Sequence, residues 1–142
     1  MEFKGFVTID FSSRTCDGFV YVLCWVADGS EVPFYVGETN SIWRRLHEYY
    51  CADVQGPTDF KVGKAVKHLC AKGFRIVVRC KPSTDRVGQQ NAIISNLNLQ
   101  GIKLLNDCPG YKWDIPEEKH AEERLKIQAF MDGLLTCGKI SN

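Results

Sequence analysis

Tyr35-Val36-Gly37-Glu38-Thr39-Asn40-Ser41-Ile42-Trp43-Arg44-Arg45-Leu46-His47-Glu48-Tyr49 reads as a strand that turns into a helix. Val32 to Gly37 reads as the antiparallel return strand of a hairpin whose first strand, Phe19 to Val26, is rich in aromatic and β-branched residues. Thr39, Asn40 and Ser41 are residues that cap helix N-termini, and a helix is predicted from about Ser41 to Tyr50. Ile42, Leu46 and Tyr49 or Tyr50 then share one apolar side, while Arg45 and Tyr49 stand one turn apart.

Upstream, Ala27-Asp28-Gly29-Ser30-Glu31 carries the Asp-Gly signal of a tight hairpin. It joins Val32–Gly37 to an earlier apolar run, Phe19 to Val26, which contains Tyr21. Two antiparallel strands, each with one tyrosine, thus lead into a helix bearing an arginine and a third tyrosine. Phenols and a guanidinium gathered in this way suit a phosphodiester better than a hydrophobic core.

Farther along, Val62, Val66, Leu69 and Cys70 mark a second amphipathic helix that Gly73 ends, after a loop over Asp53 to Thr58. Phe74 to Cys80 alternates Arg75, Val77 and Arg79 against Ile76 and Val78, predicting a third strand with one polar face. Pro82 to Asp85 opens a third helix from about Arg86 to Leu97, and Ile102 to Asn106 is a short extended piece. After a loop from Cys108 to Pro116, a charged amphipathic helix covers about 117–135. Phe3 to Phe11 adds a candidate strand, followed by a loop to Gly18. The expected class is α+β: a small, mainly antiparallel three-stranded sheet flanked by helices, in one domain spanning 1–142.

Composition bounds the function. With 44% hydrophobic and 25% charged residues the chain has ordinary globular character. No apolar run approaches the roughly 18 residues of a membrane span, and the N-terminus lacks the pattern of a signal peptide. The seven cysteines are odd in number and form no C-x-x-C pair, which argues against disulfides or zinc and for a reducing intracellular compartment. The net charge of +1 hides an asymmetry: Arg44 to Arg86 carries ten basic and four acidic residues, a net +6 between segments of −4 and −1. Such a middle suits a polyanion-binding face, with Arg44, Lys61, Lys64, Lys67 and Arg86 as candidates; solvated helix faces explain the charge equally well. Trp43 and Tyr50 are suited either to stacking on bases or to packing in the core.

In this order, Phe19-Val20-Tyr21, Tyr35-Val36-Gly37, Arg45, Tyr49 and the Arg86 to Asn106 segment with Leu104-Leu105-Asn106, the chain resembles the GIY-YIG nuclease domain from about Phe19 to Asn106. The resemblance implies a small stand-alone DNA endonuclease acting on duplex or branched DNA, with a homodimer as one means of cutting both strands. It implies Tyr21 and Tyr35 around an attacking water, Arg45 and Tyr49 on the phosphate, Asn106 in support, and one Mg²⁺ or Mn²⁺ on a glutamate of the third helix.

Two departures stand out. Gln90 occupies the position of that glutamate, and Glu38 follows the glycine where many members place a lysine nearby. A glutamine offers a hard dication only a neutral oxygen. Gln90 is thus read as an introduced change, as the mark of a catalytically silent nucleic-acid-binding module, or as a loss that Glu38 makes good. A protein-interaction domain using the C-terminal helix is a further alternative.

Overall fold

The computed structural model describes residues 18–51, 57–108 and 117–140. The candidate strand over Phe3 to Phe11 and most of the three predicted loops lie outside these residues. Strand β1 (Phe19–Ala27) and strand β2 (Ser30–Thr39) form the hairpin, followed by helices α1 (Ile42–Cys51) and α2 (Pro57–Ala71), strand β3 (Arg75–Pro82) and helix α3 (Arg86–Leu99). A short 3-10 turn (Leu105–Asp107), a second one (Glu117–Lys119) and helix α4 (His120–Ile140) complete the described chain. The class is α+β: a three-stranded antiparallel sheet in the order β2-β1-β3 with four helices packed against it.

The hairpin forms where its residues require it. Asp28 and Gly29 both adopt positive φ, 50° and 79°, which is the backbone of a tight turn matched to the strand twist. The ladder from Phe19↔Thr39 to Ala27↔Ser30 slips once, between Leu23/Tyr35 and Cys24/Pro33, leaving Phe34 as the extra residue of a bulge. Strict alternation would send Phe34 and Tyr35 to opposite faces. With the bulge, both join one core cluster, Phe34 against Trp25 and Tyr35 toward Tyr21.

That cluster fills the space between one sheet face and the helices. Tyr21, Leu23 and Trp25 meet Ile42 and Tyr49 of α1, Phe60, Ala65 and Leu69 of α2, and Ile127, Met131 and Leu134 of α4. Ile76, Val78 and Cys80 of β3 pack on it, while Arg75 and Arg79 take the opposite, exposed face, as their alternation predicts. Truncating a fully buried member such as Leu69 to Ala costs about 2–5 kcal/mol.

Helix α3 differs in having no fully buried side chain. It is fixed by polar contacts: the Asp85 carboxylate accepts from the Gly88 N–H at 3.2 Å, and the Ser83 N–H donates to the Gly18 carbonyl at 2.9 Å.

Several boundaries correct the sequence expectation. Pro57 already opens α2, because a residue without an N–H suits the first helical position. Strand β3 runs two residues past Cys80, since Lys81 and Pro82 continue the pairing to Val20 and Phe19. Helix α3 also extends two residues past Leu97, to Leu99. The piece predicted as extended over Ile102 to Asn106 closes into a 3-10 turn at Leu105. There the Asp107 carboxylate accepts from the Leu104 N–H at 3.0 Å while the Asp107 N–H donates to the Leu104 carbonyl at 2.9 Å. Helix α4 proper begins at His120 and continues to Ile140.

Candidate functional site

Gly37 and Tyr21 are cross-strand partners, and the phenol of Tyr21 lies directly over the glycine. A Cβ at position 37 would overlap that ring, so glycine is the one residue that leaves space for it. Tyr21 then reaches across to α1, where its hydroxyl hydrogen-bonds the hydroxyl of Tyr49. Tyr35 completes the group, its ring centroid 6.3 Å from that of Tyr21, while Tyr49 lies 6.4 Å from Tyr21 on the other side. The three phenols are almost wholly buried, with relative exposures of 1% (Tyr21), 6% (Tyr35) and 3% (Tyr49).

Helix α1 carries Arg45 to the same place. The Thr39 hydroxyl accepts from the Ser41 N–H at 3.1 Å, and the Arg45 N–H donates to the Ser41 carbonyl, which starts the helix where its capping residues predict. Ile42 and Tyr49 turn into the core, and Arg45 faces the cleft between α1, the hairpin and α3. Tyr21, Tyr35, Glu38, Arg45, Tyr49 and Gln90 line this cleft of about 220 Å³. The six residues gathered there are the four predicted as catalytic, the predicted metal position and Glu38.

Burial dominates the electrostatics of the phenols. It pushes the Tyr49 hydroxyl far above the ordinary phenol range, with Tyr35 and Tyr21 adding to the effect and Arg45 opposing it. Burial therefore keeps the Tyr49 phenol neutral at physiological pH. Arg45 Nη1 lies 3.4 Å from Glu48 Oε2, and Arg44 Nε 3.7 Å from Glu48 Oε1, so one carboxylate serves both arginines. Sequence spacing did not point to Glu48; the i, i+3 and i, i+4 positions on α1 were the available signal.

The remaining candidates fall in different places. Asn106 stands behind the cleft, its carboxamide oxygen accepting from the Val36 N–H at 3.0 Å and its nitrogen donating to the Val36 carbonyl at 2.8 Å. Arg86 is at the cleft's edge, its Nη1 3.0 Å from Glu38 Oε2. Arg44 is exposed and donates to Asn40 at 3.2 Å. Lys61, Lys64 and Lys67 do not line the cleft. Desolvation lowers the affinity of Lys61 and Lys64 for their protons, while Asp107 and Cys108 act on Lys61, and Lys67 and Arg124 on Lys64. The basic middle of the sequence is thus divided among the cleft, the α2–α4 side and the exposed sheet face that carries Arg75 and Arg79. Trp43 is 68% exposed, which removes the core-packing alternative for that residue.

A divalent metal needs hard anionic oxygens. Among the described residues, no group of three His, Cys, Asp or Glu is placed to hold one. Among the described residues the cleft's lining offers a single carboxylate, Glu38, and that carboxylate is engaged by Arg86. Gln90 is neutral and directs its amide nitrogen to the Val36 carbonyl at 3.4 Å. This donor set does not fit Mg²⁺ or Mn²⁺. Among the described residues, no helix is long and apolar enough to cross a membrane. Comparison of the chain with protein-family models, curated proteins and solved structures finds no match.

Proposed function

We propose that the cleft binds the phosphodiester backbone of DNA, and that the chain is a nucleic-acid-binding module on a framework resembling the GIY-YIG endonucleases. The observation that carries this reading is the convergence of three phenols and Arg45 on one small cleft. Arg45 offers its planar guanidinium to two phosphate oxygens, a geometry a lysine does not match. Tyr49, held neutral, has one O–H to donate to a phosphate oxygen when its own oxygen accepts from the Tyr21 hydroxyl.

A second reading, a metal-dependent DNA endonuclease, is favoured by one observation. Gln90 shares the cleft with the tyrosines and Arg45, at the position where the resemblance implies a metal-binding glutamate. The two readings part on a single substitution. Plasmid DNA is incubated with Mg²⁺ and either the native chain or Gln90→Glu, with DNA binding measured in parallel. The binding-module reading expects both proteins to bind DNA and the native chain to leave the plasmid intact. Nicking by the native chain would establish the endonuclease, and absence of binding by both at low salt would overturn the phosphodiester site.

A further inference from the structure

Arg86 and Gln90 are four residues apart on α3, so their side chains rise from the same face of that helix, one turn from each other. Gln90 lines the cleft, and Arg86 reaches the cleft carboxylate Glu38 at 3.0 Å. Gly18 leaves the space that its aliphatic stem occupies, since an added Cβ there would meet Arg86 Cδ at 2.8 Å. One turn from the position where a metal-binding acid would stand, the chain therefore supplies a fixed positive charge of its own. Arg45 approaches the same cleft from α1.

We infer that Arg86 takes the place of a divalent cation in this cleft, so that Arg45 and Arg86 together clamp a nucleic-acid phosphodiester without metal. The inference rests on the phosphodiester reading above. Each arginine already faces a carboxylate, Glu48 for Arg45 at 3.4 Å and Glu38 for Arg86 at 3.0 Å. A phosphate entering the cleft exchanges these pairs: its oxygens accept from the guanidinium N–H groups, and Glu38, which is part-exposed, turns to water. No bond is broken and no proton moves. Glu38 is accordingly a competitor of the ligand, and its charge weakens binding where a metal-ligating carboxylate would strengthen it.

The test is a fluorescence-anisotropy titration of a labelled DNA duplex about two helical turns long, in EDTA and in Mg²⁺ at matched ionic strength. It uses the native chain, Glu38→Gln, Arg86→Ala and Arg86→Lys, each checked by circular dichroism. Equal affinity in EDTA and Mg²⁺ is expected. Glu38→Gln should bind about two- to fivefold tighter, the value of one exposed ion pair. Arg86→Ala should bind at least about tenfold more weakly, with the slope of log K against log salt reduced by about one unit. Arg86→Lys should retain the slope but not all of the affinity. Binding that requires Mg²⁺, or that Glu38→Gln weakens, overturns the inference while leaving the phosphodiester site standing. If Arg86→Ala does not fold, the EDTA and Glu38→Gln measurements decide alone. No binding by any of the proteins in either buffer overturns the site and the inference together.

Discussion

Gly37 illustrates how much a single residue determines here. Its lack of a side chain admits the Tyr21 ring, and that ring joins the sheet to α1 through Tyr49. Gly37→Ala should therefore destabilise the fold by about 1–3 kcal/mol through overpacking, read as a lower urea midpoint at unchanged slope. An unchanged midpoint would mean that the ring does not rest on the glycine. In the sequence Gly37 is visible as the end of a strand, and Tyr21 as a residue of the neighbouring one. Their overlap follows from register, which the Asp28-Gly29 turn sets and the bulge at Phe34 shifts. Composition does not report a bulge, so the two tyrosines were legible as a pair while the packing that places them was not. Spacing from Tyr35 distinguished Arg45 from Arg44, and the structure turns Arg45 alone toward the cleft. The salt bridges to Glu48 and Glu38 depend on rotamers, which spacing does not fix.

At the level of elements, β2 is a sheet edge whose exposed backbone is covered by a side chain. The carboxamide of Asn106 satisfies both the N–H and the C=O of Val36, as a neighbouring strand would, and Gln90 adds a third contact. Asn106→Ala leaves the Val36 N–H without this partner, with an expected cost of about 1–3 kcal/mol in chemical denaturation. Hydrogen exchange at the Val36 amide should accelerate with it. Protection of that amide equal to the native value would show that Asn106 does not hold the edge. The resemblance pointed to Asn106 as a supporting residue; the contact itself spans 70 positions in the chain and has no local signature. Sequence pattern, from periodicity and capping residues together, located the four described helices within a few residues. It missed the start of α2 and the 3-10 turn at Leu105 because capping and local carboxylate contacts fix those ends.

Across the whole molecule, the helices away from the cleft are tied by charge as well as by their apolar faces. His68 Nε2 donates to Asp132 Oδ1 at 2.8 Å, joining α2 to α4, and Lys72 Nζ lies 3.3 Å from the same oxygen. The hydrogen bond from His68, with Lys72 beside it, holds the Asp132 carboxyl below its ordinary value of 3.8. A depressed carboxylate contributes stability that is present above its unfolded pKa and lost as pH falls through the folded one. Asp132→Asn should thus lower stability at pH 7 by about 0.5–1 kcal/mol, a value kept small because Asp132 is half exposed to solvent. The difference from the native chain should disappear in acid, below the ordinary carboxylate range; a difference that persists there would contradict the assignment. Charge at this scale was only partly legible. The net +6 middle of the sequence is divided among the cleft edge, the α2–α4 side and the exposed sheet face of Arg75 and Arg79.

Phosphodiester binding in the cleft is proposed to run through Arg45. Its most direct test compares DNA affinity across a range of KCl for the native chain, Arg45→Ala and Arg75→Ala. Arg75 is an exposed residue paired with Val26 near the hairpin turn, at the other end of the sheet from the cleft. Arg45→Ala should weaken binding at least about tenfold and reduce the salt slope by about one unit, while Arg75→Ala leaves both unchanged. Equal affinity and slope for Arg45→Ala and the native chain would contradict it.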